Sequence, residues 1–333
     1  MPDRTATRVS RFGGVDGLTF VDEPVRMPRG NEVVVRVTHA SLGTTDALAR
    51  RGGYVLQPMP GFVPGYDFVG VLESESAVSV ALGLRLGAPV AGVLPRMGAH
   101  ATRMVVPASL LVGVPDAIDP AVAAAVPLDG VTAALALELG GAPRGGAVLV
   151  QGAGGAVGTL AAQLARARGL RVVGTGSERS RQAVESTVDS FVDYTEPGWA
   201  ALVRAATGGG AAAAIDHIGS AEVRDAVAAG GTLVHTAFAG RPGRERTDSL
   251  RGSAASAARR WGRPRERVCS VPLFVATRRN DYRRMLADLL SRVERGDLAP
   301  VLPNPVPFAD AREAHRAAER PGGGKVILVM PPA

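Results

Sequence analysis

The sequence predicts an α/β chain in which a doubly wound parallel sheet with flanking helices is joined to a smaller, mostly antiparallel β region. Three observations predict it. β-branched runs separated by Pro and Gly fill residues 1–121; a strand, a glycine cluster, a helix and a strand succeed one another from Ala147 to Thr175; and strand and helix patterns alternate beyond that point.

Taken in order, Asn31–His39 (NEVVVRVTH) reads as a strand, followed by short strand-like pieces at Phe68–Leu72, Pro89–Val93 and Ala101–Val106. That spacing suits antiparallel strands better than a series of helix crossovers. Ala121–Leu137 is an Ala/Leu-rich helical stretch broken near Pro127. The apolar run Ala147–Gln151 then reads as a buried strand, and Gly158–Arg168 as a helix with Leu160, Ala161, Leu164 and Ala165 on one face, leading to the strand Arg171–Thr175. Helical patterns at Ser180–Val188 and Trp199–Ala206 interleave with strand patterns at Phe191–Tyr194, Ala211–Asp216 and Gly231–Thr236. Gly240–Cys269 is arginine-dense and reads as an irregular surface excursion. Tyr282–Glu294 repeats Met285, Leu286, Leu289, Leu290 and Val293 at helical spacing, and a helix around Ala309–Ala318 and a strand at Lys325–Met330 close the chain.

Composition narrows the class. With 333 residues, 46% hydrophobic and 21% charged, the chain can fill two ordinary cores. Its single cysteine, Cys269, rules out an intrachain disulfide framework and a cysteine-built zinc or iron–sulfur site. The net charge of +7 invites a nucleic-acid reading, but only Lys325 among the 38 basic residues is lysine, and the arginine excess accompanies the Ala, Gly and Val of GC-rich coding. Aromatic residues make up 4% and do not alternate with basic ones as base-stacking surfaces require, so nucleic acid is not the expected partner. The opening MPDRTATRVSRFGG lacks an apolar signal core, and no apolar run reaches membrane-spanning length; the expectation is a cytoplasmic protein without a membrane partner. Neither a Gly-x-Ser-x-Gly elbow nor a P-loop lysine motif occurs, which disfavours hydrolases and kinases.

The glycine cluster carries the chemistry. Gly152-Ala153-Gly154-Gly155-Ala156-Val157-Gly158 lies between a strand and a helix, with small residues where a backbone must approach a pyrophosphate and a helix N-terminus faces its charge. This context predicts a dinucleotide site; the alternative is a tight turn without a ligand. Beyond the next strand, Ser177, Arg179 and Arg181 can pair with a 2′-phosphate, whereas Glu178 opposes one, and the charge balance favours NADPH over NADH.

Ordered motifs along nearly the whole chain then carry a resemblance. They are Asp46-x-x-x-Arg50-x-Gly52-x-Tyr54, Pro64-Gly65-Tyr66-Asp67-x-x-Gly70, Ala125-Val126-Pro127-Leu128 with Gly130-Val131-Thr132-Ala133, the glycine turn running into Ala162-Gln163-Leu164-Ala165, Asp193-Tyr194, Gly230-Gly231, Ala314-His315 and Gly324-Lys325-Val326. In these the chain resembles the zinc-independent medium-chain dehydrogenases/reductases of the quinone oxidoreductase type. The resemblance implies a Rossmann-type domain, residues 122–274, inserted in a GroES-like catalytic domain made of residues 1–121 and 275–333, with nicotinamide and substrate in the cleft between them. It also implies a homodimer. Thr132 and the Gly154–Gly158 backbone would contact the cofactor, and Ser177, Arg181 and Tyr194 would surround the adenosine 2′-phosphate. Lys325 would lie near the cofactor, or else be a solvated lysine at a strand start.

Zinc-bearing relatives carry a histidine ligand where this chain has Tyr66, and a cysteine ligand upstream where it has none. Without a Lewis acid the resemblance implies hydride delivery to a conjugated C=C, enone or enoyl, or to a quinone. Tyr54 matches a tyrosine that orients the substrate carbonyl or returns a proton; otherwise it lines a pocket. Tyr66 reads as a packing residue. Asp129, beside the cofactor-facing segment, is a candidate for acting on a substrate proton or a salt-bridged carboxylate, and Gly43 stands where such enzymes place an asparagine. These two departures keep a natural-product tailoring reductive cyclase open as an alternative. The basic stretch Arg241–Arg267 keeps open a non-catalytic NADPH-binding protein.

Overall fold

The computed structural model describes residues 3–241, 243–320 and 324–332. Its strands are, in chain order, β1 (Asp3–Val9), β2 (Leu18–Pro24), β3 (Glu32–Leu42), β4 (Asp67–Leu72), β5 (Pro89–Val93), β6 (Arg103–Pro107), β7 (Leu111–Gly113), β8 (Ala147–Val150), β9 (Arg171–Gly176), β10 (Ser190–Asp193), β11 (Ala211–Asp216), β12 (Val227–His235), β13 (Arg265–Val268), β14 (Pro303–Pro307) and β15 (Lys325–Val329). They belong to two compact units, one formed by residues 1–131 with 271–333, the other by residues 132–270. The sequence sets the seams at 121/122 and 274/275; the units part between Val131 and Thr132 and between Ser270 and Val271.

The discontinuous unit is built on a seven-stranded sheet, β14-β15-β3-β4-β5-β7, with β6 paired to β3. All its pairings are antiparallel except β14 with β15. β3 is the hub: its alternating Val33, Val35 and Val37 are buried, and it pairs with β4, β6 and β15 in turn. A separate hairpin, β1 with β2, escaped the sequence reading because Arg4 and Arg8 interrupt its apolar alternation and both bond Glu23.

The continuous unit holds a six-stranded parallel sheet in the order β10-β9-β8-β11-β12-β13. The chain steps outward from β8 to β9 and β10, then returns to the other side of β8 for β11, β12 and β13. The strand order therefore reverses between β8 and β11, where doubly wound sheets open their ligand crevice at the carboxyl ends. β8 is buried along its length, and the helix Ala156–Ala167 buries Leu160, Ala161, Leu164 and Ala165, the face expected from the sequence.

One reading is corrected. Gly240–Cys269 is not irregular: it holds the helix Glu245–Ala258 and the edge strand β13. The helix has no apolar stripe, and Ser256 is its only buried residue, so no helical period marks it. In β13 the inward side chain is Glu266, between exposed Arg265 and Arg267, which inverts the usual strand pattern. The Ser180–Val188 pattern shortens to a 3₁₀ turn, Glu178–Ser180, and the helix Arg181–Glu185. Among the described residues no helix is long and apolar enough to cross a membrane.

Candidate dinucleotide site and tyrosine pair

The turn after β8 is held from three sides. The Gln151 N–H donates to the Ile215 carbonyl of β11, and the Ala153 N–H to the Thr175 carbonyl of β9 (3.0 and 2.9 Å), while the Thr175 hydroxyl accepts from Gly152 N–H. Gly152 has φ +63°, and the edge of the His217 ring lies where its Cβ would stand, 2.6 Å away. A Cβ on Gly158 would meet the Gly152 carbonyl oxygen at 2.3 Å, so the first helical turn folds back onto the loop only because this residue is glycine. Gly155 caps the helix Ala156–Ala167 without a side chain, and Gly154 and Gly155 are exposed. Among the described residues no capping oxygen takes the backbone donors of Ala156 and Val157, and beside two exposed glycines this makes a cradle that fits a pyrophosphate. Thr132 is half-buried in this unit, and its carbonyl accepts a weak bond from the Cys269 thiol (3.8 Å), whose pKa burial pushes up to about 12.

At the carboxyl end of β9, Ser177 precedes the turn bearing Glu178, and Tyr194 stands exposed just after β10, its N–H on the Gly176 carbonyl (3.2 Å). Arg181 is engaged: Nε bonds Glu178 Oε2 (2.7 Å), Nη1 bonds Glu185 Oε1 (3.2 Å), and the guanidinium lies 4.4 Å from the Phe191 ring centre. Hydrogen bonds to these two carboxylates raise its pKa.

The other unit carries Tyr54 and Tyr66. Asp46, buried in the first turn of the helix Thr44–Arg51, accepts from Gly43 N–H (3.0 Å) and from Gly65 N–H (2.8 Å). One carboxylate thereby ties the helix leading to Tyr54 to the segment leading to Tyr66. The fully buried Arg50 anchors the same helix through Glu319 (2.7 Å) and the Gly13 carbonyl. Tyr66, 2% exposed, donates its hydroxyl proton to the Tyr54 oxygen at 3.0 Å, leaving the half-buried Tyr54 hydroxyl free to donate onward. Burial raises both phenol pKa values, so both stay protonated at neutral pH; for Tyr54 the bond from Tyr66 works against that rise.

Asp129 and Lys325 meet in this unit. Lys325 is not solvated: it is 5% exposed, and its ammonium lies 2.5 Å from Asp129 Oδ2. Asp67 joins them, accepting from the Ser41 hydroxyl and from the Leu128 N–H at the start of the helix Pro127–Gly140 (2.9 Å). Burial pushes the Asp67 carboxyl up to about 6, with Lys325 pulling it down and Asp129 pushing it up. Burial alone would lower the Lys325 pKa, but the charges of Asp129 and Asp67 outweigh it and the ammonium is kept. Asp46 and Asp67 stand within two of the sequence motifs but carry no role readable there, because their burial and partners come from segments far apart in the chain.

In the continuous unit, His235 ends β12 between two carboxylates, with Nδ1 2.8 Å from Asp216 and Nε2 3.3 Å from Glu266. Asp216 also accepts from Ile218 and Gly219 N–H, and Glu266 pairs with Arg224 and Arg259. This cluster stitches the ends of β11, β12 and β13 together.

The fold, the order of the parallel sheet and the glycine turn define a dinucleotide-type oxidoreductase architecture. Comparison with known proteins makes the assignment specific. A model of the alcohol dehydrogenase GroES-like domain matches residues 29–116, and one described as zinc-binding dehydrogenase matches residues 187–328. A quinone oxidoreductase of Pseudomonas aeruginosa is 30% identical over 95% of this chain and 97% of its own. A trans-enoyl reductase of Penicillium crustosum is 33% identical over 62% of each chain. A mycobacterial protein solved in complex with NADPH superposes with a TM-score of 0.78 at 26% identity, over 98% of this chain and 99% of its own. The chain belongs to the medium-chain dehydrogenase/reductase family, in its quinone oxidoreductase-like branch.

Proposed function

We propose that the protein is an NADPH-dependent reductase that acts on a conjugated C=C, enone or enoyl, or on a quinone, without a metal. The observation that carries this reading is the Gly152–Gly158 turn, open at the carboxyl edge of β8 with uncapped backbone donors. Those donors would hold the pyrophosphate, Thr132 the nicotinamide half, and Ser177, Arg181 and Tyr194 the adenosine 2′-phosphate. When bound, the nicotinamide supplies a hydride.

The chain's own contribution is proton placement. Tyr54 has a hydroxyl that receives a hydrogen bond from Tyr66 and keeps its own proton to give. Such a group orients an acceptor carbonyl and stabilises the negative charge growing on its oxygen. The acceptor class draws on the quinone oxidoreductase and trans-enoyl reductase relatives. The metal-free reading is supported by the buried phenol of Tyr66 where zinc-bearing relatives place a histidine; among the described residues the only polar partner of its hydroxyl is another phenol. Asp129 is better suited to hold Lys325 than to reach a substrate, because its carboxylate is already paired. The test is NADPH oxidation by the purified protein against a benzoquinone, an alkenal, an enoyl thioester and a polyene ketone. Turnover with at least one is expected; no turnover with any refutes the proposal.

A further inference from the structure

Two features of opposite meaning sit at the carboxyl end of β9. An acidic residue there accepts the ribose 2′-hydroxyl of an unphosphorylated dinucleotide, and a nearby arginine pairs with a 2′-phosphate. This chain has both, Glu178 and Arg181, bonded to each other. The geometry of that bond matters. Arg181 uses Nε on Glu178 and Nη1 on Glu185, so Nη2 has no partner among the described residues. Glu178 uses only Oε2; its Oε1 has none either, and its side chain is 71% exposed. The turn itself is held by Ser180, whose N–H and hydroxyl both donate to the Ser177 carbonyl (2.8 and 2.9 Å). Stacking on Phe191 keeps the guanidinium plane in place if Glu178 lets go.

We propose that Glu178 and Arg181 form a two-way latch through which the same site takes either nicotinamide dinucleotide. With NADH, the pair stays closed and Glu178 Oε1 accepts the ribose 2′-hydroxyl. With NADPH, the 2′-phosphate takes Nη2 and displaces Glu178 from Nε, swinging the carboxylate into solvent. An exposed i,i+3 ion pair yields readily to a dianion. Glu178 therefore caps the preference for NADPH that Arg181 creates, and it is a specificity-determining residue. The inference rests on the dinucleotide reading of the glycine turn and deepens it.

The test measures dissociation constants of NADPH and NADH by nicotinamide fluorescence, using the full chain, Glu178→Gln and Arg181→Gln. Wild type is expected to bind both. Glu178→Gln should raise the NADPH-to-NADH affinity ratio about tenfold, by tightening NADPH and weakening NADH together, and Arg181→Gln should lower it about tenfold with NADH unchanged. Both shifts should shrink as salt is raised. An unchanged ratio in Glu178→Gln, or equal weakening of both nucleotides, overturns the latch while leaving the dinucleotide reading intact. Failure of wild type to bind either nucleotide overturns both.

Discussion

Replacing Lys325 with methionine would remove the only cation among three buried charges. The ammonium lies 2.5 Å from Asp129 and lowers the pKa of the fully buried Asp67. Breaking a buried pair from one side leaves an uncompensated charge and costs about 3–5 kcal/mol. The pH dependence follows from Asp67. Its folded pKa, about 6, lies above its ordinary 3.8, so the stability tied to its protonated form is full below 3.8 and is lost as pH rises through 6. Over that interval the loss is about 3 kcal/mol. Without Lys325 the folded pKa of Asp67 moves higher still. Lys325→Met should therefore be most damaging above pH 6 and partly recover on acidification to about pH 5, where Asp67 takes up its proton. Urea unfolding followed by circular dichroism at about pH 5 and about pH 7.5 measures this, and adding Asp129→Asn should restore most of the loss, because the second change removes the orphaned carboxylate. A loss below about 1 kcal/mol, or one equal at both pH values, refutes the reasoning.

Gly158→Ala should weaken NADPH more than tenfold, roughly, because its Cβ would stand 2.3 Å from the Gly152 carbonyl and force the turn open; fluorescence titration reads it out. Tyr54→Phe should lower kcat with the preferred acceptor by about 10²-fold and leave the NADPH dissociation constant in place, while stranding the Tyr66 hydroxyl at a cost of about 1–3 kcal/mol in urea unfolding. His315, whose ring nitrogens have no partner among the described residues, is held neutral by burial with its pKa pushed down to about 2. Its folded pKa lies below the ordinary 6.5, so its contribution is full above 6.5 and falls with acid by about 1.4 kcal/mol per pH unit; His315→Leu should flatten the acid limb of stability between about pH 4 and pH 6.

The parts of the fold legible in the sequence are those whose side chains agree with their burial. β5 and β11 match the read strands end for end, and Ala147–Val150 is buried on both faces, as an unbroken apolar run requires. The glycine turn was legible because glycine itself is the signal. Where inward positions carry polar groups the pattern fails: Glu266 in β13 and Ser256 in the helix Glu245–Ala258 hide their elements. Pairing across the fold was equally hidden. Lys325, Asp67 and Asp129 come from β15, β4 and the helix Pro127–Gly140, and nothing local in any of them names the others. The Glu178–Arg181 pair was half legible, as one residue for a 2′-phosphate and one against; their bond to each other is a matter of one helical turn.

β15 does not sit at the rim of its sheet. It lies between β14 and β3, with Val326 opposite Leu42 and Val329 opposite His39. During synthesis residues 1–131 leave the ribosome before β15, the strand that completes their sheet, whereas the unit formed by residues 132–270 is continuous and is whole in sequence once Ser270 has emerged. The sheet begun by residues 1–131 is thus completed in sequence only after the whole of the unit 132–270 has been made. Until β15 is made, the His39–Leu42 end of β3 lacks the strand that pairs with it, an open edge of the kind that invites mispairing, and Asp67 and Asp129 lack their counter-ion.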